Sequence, residues 1–228
     1  LVKPLETNLD SKVLKYLFLI ICFIIYCKED VSKEEVLKSN SQSKKVIFFG
    51  DSLTAGLGLE NPEDSFPNLL FERIKKTRTD IELVNAGVSG DTTSGGLSRL
   101  DWVISQGVDY FILELGANDG MRGVPSEVIE SNLKEIIQRV RKKNPKVKIL
   151  LVRMYTFPNF GPVYTKKFAQ VYPKVAKEMK VTLTPFLLEK VAGQKELNQK
   201  DGIHPTKEGH QILANTLWSS FQKLLANE

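Results

Sequence analysis

VIFFGDSLTAG, residues 46–56, runs apolar for four residues and then turns through Gly50, Asp51 and Ser52. The apolar run fits a strand buried on both faces, as in a parallel sheet covered by helices on each side. The turn delivers a carboxylate and a hydroxyl to the strand's exit, and in open α/β sheets ligands bind outside the carboxyl ends of the strands.

Five such runs recur along the chain: KVIFF (45–49), IELVNA (81–86), YFILEL (110–115), VKILLVRM (147–154) and VTLTPF (181–186). Their length and β-branched content predict strands. Longer amphipathic segments separate them. Between the third and fourth, Val128, Ile129, Leu133, Ile136, Ile137 and Val140 recur at helical spacing, while Glu130, Lys134, Arg139 and Arg141 take the other side, which predicts a helix lying on a sheet. Two more helices are predicted over residues 163–180 and 206–225, the first kinked or restarted at Pro173. Strands alternating with helices predict an α/β fold with a parallel sheet covered on both sides.

Composition narrows the function. The 228 residues are 42% hydrophobic and 26% charged, enough apolar mass for one sizeable core. The net charge of +5 comes from 32 basic and 27 acidic residues, and the basic ones form scattered pairs such as Lys75 with Lys76, Lys142 with Lys143 and Lys166 with Lys167. No basic stripe interleaved with aromatics is present, which argues against a nucleic-acid partner. Both cysteines, Cys22 and Cys27, are N-terminal, so the rest of the chain has no internal disulfide and no thiolate metal site. Neither G-x-x-x-x-G-K-[ST], nor a helix-opening G-x-G-x-x-G, nor H-E-x-x-H occurs, which disfavours a nucleotide-binding module and a zinc hydrolase.

The N-terminal region reads as an address. YLFLIICFIIY (16–26) is eleven apolar residues preceded by Lys12 and Lys15, a length that suits a signal peptide and is short of the ~20 residues of a spanning helix. Residues 1–27 are therefore expected to be a signal peptide or membrane anchor and to place the protein outside the cytoplasm, in the periplasm or cell envelope. Cys27 at the end of the run resembles the lipid-bearing cysteine of a bacterial lipoprotein signal, although Tyr26 stands where a small residue is usual; an uncleaved anchor is the rival reading. Residues 28–44 carry four basic and four acidic residues with little apolar content, a polar tether leading to a folded domain over residues 45–228.

The turn at the end of each strand bears on chemistry. GDSLT comes after the first, GVSGDTT (87–93) after the second, GANDG (116–120) after the third, and DGIHP (201–205) lies beyond the fifth. A serine hydroxyl is a poor nucleophile until a base takes its proton, most often a histidine. The chain has two. His204 sits in a turn with Asp201 three residues earlier, near enough to hold the useful tautomer, whereas His210 lies in the following helix without such a neighbour. Singly, each turn is ordinary Gly, Asp and Ser chemistry. Jointly they offer a nucleophile (Ser52), a base with its orienting carboxylate (His204, Asp201) and oxyanion donors from the Ser52 N–H, the Gly90 N–H and the Asn118 amide.

GDSL with Ser52, SGDT with Gly90, GAND with Asn118 and DGIHP with Asp201 and His204 resemble, in order and spacing, the four blocks of the SGNH (GDSL) hydrolases. VNAGVSGDTTSGGLSRL and ELGANDGMRG look like the branch holding bacterial multifunctional thioesterases, arylesterases and lysophospholipases. The resemblance implies a flavodoxin-like three-layer α/β/α sandwich with a five-stranded parallel sheet. It also implies a Ser52, His204 and Asp201 triad, an oxyanion hole from Ser52, Gly90 and Asn118, and hydrolysis with no metal and no cofactor. Asp51 is expected to fix the turn. The loops after the third and fourth strands carry Met121, Tyr155, Phe157 and Phe160, read as apolar contacts for an acyl or aryl group of a small-molecule or lipid ester. A carbohydrate O-deacetylase with the same triad and a non-catalytic surface lipoprotein are the alternatives.

Overall fold

The run at residues 46–49 forms the centre of β1 (Lys44–Gly50), where Val46, Ile47, Phe48 and Phe49 are all buried. The computed structural model describes residues 43–226; the expected signal or anchor with Cys27, and all of the tether but its last two residues, lie outside the described residues. After β1 come α1 (Ser52–Ala55), α2 (Phe66–Lys75), β2 (Ile81–Gly87), α3 (Thr93–Val103), β3 (Tyr110–Glu114) and α4 (Ala117–Met121). The chain continues with α5 (Ser126–Lys143), β4 (Lys148–Arg153), α6 (Gly161–Met179), β5 (Thr182–Phe186) and α7 (Lys207–Ala226). The five strands pair in parallel in the order β2-β1-β3-β4-β5. This is the flavodoxin-type winding, whose crevice opens between β1 and β3 where the strand order reverses. There Gly50 stands opposite Glu114, so the turns after β1 and β3 leave the sheet at one level.

Ile129, Leu133, Ile136, Ile137 and Val140 of α5 are buried, as their spacing predicts. Val128 is not: it is 41% exposed. Its helical neighbours three and four positions on are Ser131 and Asn132, so it begins no apolar stripe. Pro173 does not restart the helix either, for α6 continues through it. Proline removes one backbone hydrogen bond, and the buried flanking residues Val171, Tyr172, Val175 and Ala176 hold the segment against the core.

His210 belongs to this packing. It is buried, its Nδ1 accepts the Phe66 N–H at 3.2 Å, and its ring stacks on Phe66. Burial pushes its pKa down to about 4. A folded-state value below the unfolded ~6.5 means that the stabilisation is complete above pH 6.5 and is lost as the pH falls toward 4, a loss of about 3 kcal/mol. Urea unfolding of the parent and of His210→Gln at pH 7 and pH 4 measures it: the parent is expected to lose about that much more stability on acidification than the variant. An unchanged pH dependence in the variant would remove His210 as the cause.

Candidate active site

Gly50 ends β1 because nothing larger fits: a Cβ there would collide with Thr54 Oγ1 and with the Glu114 side chain, 2.6 Å from Oε2. Asp51 then caps α1, its Oδ1 accepting the Leu53 N–H at 3.0 Å. That cap sets the direction of the short helix and places Ser52 at its first position.

The partners of Ser52 arrive from the far end of the chain. The loop before α7 is closed by an antiparallel bridge between Asn198 and Pro205 and by Gln199 N–H donating to the His204 carbonyl at 2.7 Å. Inside it, Asp201 Oδ1 accepts the N–H groups of Ile203 and His204 at 2.9 and 3.0 Å, while Oδ2 lies 2.7 Å from His204 Nδ1. These hydrogen bonds, that of the imidazole first, hold the Asp201 carboxyl down to about 2. With the carboxylate ionised, Nδ1 carries the ring proton and Nε2 faces Ser52 Oγ as an acceptor at 2.9 Å. Hydroxyl, imidazole and carboxylate thus meet in one hydrogen-bonded row.

The oxyanion candidates lie on the other two turns. Asn118, buried in α4, donates through Nδ2 to Asp51 Oδ2 at 3.1 Å. Gly90 has φ +79°, a conformation that favours glycine, and its carbonyl accepts from Arg122 at 3.0 Å. Asp119, next to Asn118, accepts from the Thr93 N–H at 2.8 Å and the Thr93 hydroxyl at 2.6 Å. The β2 and β3 turns are therefore pinned together twice. Among the described residues no acceptor is hydrogen-bonded to the N–H of Ser52 or of Gly90.

A cavity of about 390 Å³ opens beside Ser52, Asn118 and His204. Met121, Tyr155 and Phe157 line it; Phe160 does not, and Gly90 is not among the lining residues. Phe160 turns instead toward Tyr164 of α6, ring centroids 5.5 Å apart, because the chain enters a 3-10 turn over Pro158–Phe160 that swings it off the rim. Met154, Phe186 and Leu188 complete the apolar wall, and Tyr155 packs edge-on against Phe186 at 4.7 Å. Sequence reasoning missed these three, since the end of an apolar strand carries no mark of facing a cavity. It also passed over Glu114, which a lone carboxylate at the end of the wholly buried β3 would have flagged.

Known proteins resemble this chain in sequence and in fold. Residues 48–212 match the family described as GDSL-like Lipase/Acylhydrolase. The chain is 38% identical over 177 residues to an arylesterase of Vibrio mimicus, covering 77% of this chain and 87% of that protein. It is 35% identical over 191 residues to Esterase TesA of Pseudomonas aeruginosa, covering 83% and 94% respectively. Among solved structures, a crystal structure of TesA aligns with a TM-score of 0.74 at 36% identity, covering 79% of this chain and 99% of that one. The psychrotrophic esterase EstA from Pseudoalteromonas sp., in a structure inhibited by monoethylphosphonate, aligns at 0.75 and 31% identity, covering 81% and 100%. The family match spans all four turns, and the relatives are esterases of comparable length: the chain belongs to the GDSL-like lipase/acylhydrolase family and is a carboxylic ester hydrolase.

Proposed function

We propose that the protein is a two-step serine esterase acting on acyl esters or thioesters with an apolar acyl or aryl group. The observation that carries this reading is the 2.9 Å approach of His204 Nε2 to Ser52 Oγ, backed by Asp201 at 2.7 Å. In the first step Ser52 Oγ bonds to the acyl carbon as its proton passes to Nε2, and the carbonyl electrons move onto oxygen. The N–H groups of Ser52 and Gly90 and the Asn118 amide receive that oxyanion. Collapse breaks the bond to the alcohol or thiol, which leaves with the proton from Nε2. Water then repeats the sequence on the acyl-enzyme and releases the carboxylic acid.

The apolar wall of Met121, Met154, Tyr155, Phe157, Phe186 and Leu188 favours an acyl chain over a bare sugar. Each methylene buried there contributes about 0.8 kcal/mol, roughly a fourfold gain in kcat/KM per methylene until the cavity fills. A panel of p-nitrophenyl esters, acyl-CoAs, lysophospholipids and acetylated sugars, with Ser52→Ala as control, tests the proposal. Rising kcat/KM from acetyl to medium chains is expected. Preference for acetylated sugars establishes the O-deacetylase instead, and absence of turnover together with no labelling of Ser52 by a fluorophosphonate establishes the non-catalytic alternative.

We infer further that the protein is exported and held at a membrane, from the apolar run at residues 16–26, the lysines before it and Cys27 at its end. Among the described residues no helix is long and apolar enough to cross a membrane. Cell fractionation of the full chain and of Cys27→Ala tests this: membrane association lost in the variant marks lipidation, retention marks the uncleaved anchor, and a cytoplasmic parent protein overturns export.

A further inference from the structure

Strand β3 is buried along its whole length, and its last residue is a glutamate. Glu114 has no exposed surface. Its Oε2 accepts the Asp51 N–H at 3.3 Å and the Thr54 hydroxyl at 2.8 Å, while Oε1, also buried, has no partner acting as donor. An ionised carboxylate would leave that second oxygen without a donor in an apolar interior, a costly arrangement. A protonated carboxyl becomes a donor, and the Asp51 carboxyl is the side chain with which Glu114 shares a hydrogen bond.

Two buried carboxyls in contact do not both ionise at neutral pH. Their other partners decide which keeps the proton. Both Asp51 oxygens are served by donors, Oδ1 by the Leu53 N–H and Oδ2 by the Asn118 amide. Negative charge therefore belongs on Asp51 and the proton on Glu114.

We propose that Glu114 is a positioning residue for the esterase site, a buried carboxylic acid that donates to Asp51 so that Asp51 stays an anion and orients the Asn118 amide toward the substrate oxygen. The inference rests on the esterase reading of that site. Its geometry joins the two sides of the crevice: Glu114 closes β3, Asp51 follows β1, and Asn118 follows β3. With one amide hydrogen bound to Asp51, the other hydrogen of Asn118 Nδ2 is left for the oxyanion.

Electrostatics agree with this. Burial drives the Glu114 carboxyl well above the usual range, and the neighbouring Asp51 charge adds to it. Burial likewise lifts Asp51, to about 6, against the lowering effect of its donors. The remaining titratable and charged groups around the pair are engaged elsewhere. Tyr172 of α6 donates to the Leu115 carbonyl at 2.8 Å, and burial keeps its phenol protonated. Asp119 of α4 is bound by Thr93, Arg99 of α3 is bound to Asp91 and the Gly50 carbonyl, and His204 is held between Asp201 and Ser52.

Infrared spectroscopy of the full chain titrated around neutrality, combined with kinetics, tests the proposal. A protonated-carboxyl stretch is expected at pH 7 in the parent protein and absent from Glu114→Gln. Glutamine keeps an N–H donor and an acceptor in the same places, so this conservative variant is expected to retain kcat within about threefold; Glu114→Ala is expected to lose about tenfold or more in kcat with little change in KM, since oxyanion orientation is felt in the transition state. A parent without that band at pH 7, a band that survives in Glu114→Gln, or a glutamine variant as impaired as the alanine variant overturns the proposal. The band is read without turnover. Its absence therefore differs from failure of the esterase reading, which shows as a parent protein that hydrolyses no ester.

Discussion

Ser52→Ala is expected to lower kcat toward p-nitrophenyl esters by about 10⁶, leaving a residual rate from binding and oxyanion donors alone. KM should stay within a few-fold, because the cavity wall that binds the acyl group is untouched. His204→Ala is expected to cost as much, and the double variant little more, since a nucleophile and its base act as a unit. The residue is suited to clean substitution: the Asp51 cap on Leu53 and the close approach at Gly50 shape the turn without the serine hydroxyl. Steady-state rates and fluorophosphonate labelling together measure the effect. A Ser52→Ala protein that keeps its rate within tenfold of the parent ends the assignment of Ser52 as nucleophile. Asp201 is a weaker target. Its carboxyl, held down to about 2 chiefly by the imidazole it orients, stays ionised across the working pH range, so any acid limb of the rate near neutrality arises elsewhere in the site.

Asn118→Ala is expected to lower kcat by about 10² to 10³, or roughly 3 to 4 kcal/mol of transition-state stabilisation. The amide serves two masters in the geometry. One hydrogen bond goes to Asp51 at 3.1 Å, and the remaining donor is free for a developing oxyanion beside Ser52. Loss of the first alone would appear as reduced thermal stability with modest kinetic change; loss of the second appears in kcat with KM preserved. The kinetic loss is the expected one, measured as kcat and KM on the same ester series with melting temperature as the structural control. A variant whose kcat stays within threefold of the parent takes Asn118 out of the oxyanion hole.

The strands were legible because the five short runs are apolar and rich in β-branched residues, a pattern suited to a buried strand. Helix α5 was legible from its stripe, apart from Val128, whose neighbours at helical spacing are polar. Helices α2 and α3 were not picked out individually. TSGGLSRLDWV contains two adjacent glycines that weaken any propensity signal, and Thr92 capping Gly95 together with Leu100 in the core holds it helical. At Pro173 local chemistry allowed a kink or a restart, and the helix is not restarted there, because buried residues on both sides hold it to the core.

The site divides along the same line. Ser52, Asp201, His204 and Asn118 were readable as candidates, because each sits in a turn whose residue types suit a chemical role. Phe160 was readable only as an aromatic in a rim loop; where it faces depends on the turn over Pro158–Phe160. Glu114 looked like one more residue of a strand. Its role needs the pairing that sets Gly50 opposite it and Asp51 above it.

The chain's own order of residues determined the α/β architecture, the four turns and the chemical kinds they carry, for these are properties of short windows governed by periodicity and turn preference. Tertiary structure alone decided that Ser52 and His204, 152 positions apart, come within 2.9 Å, that Phe160 packs toward Tyr164, and that the Glu114 carboxyl is buried against the Asp51 turn. The reason is that parallel register and crossover packing act between segments far apart in sequence, and no single window contains both sides of such a contact.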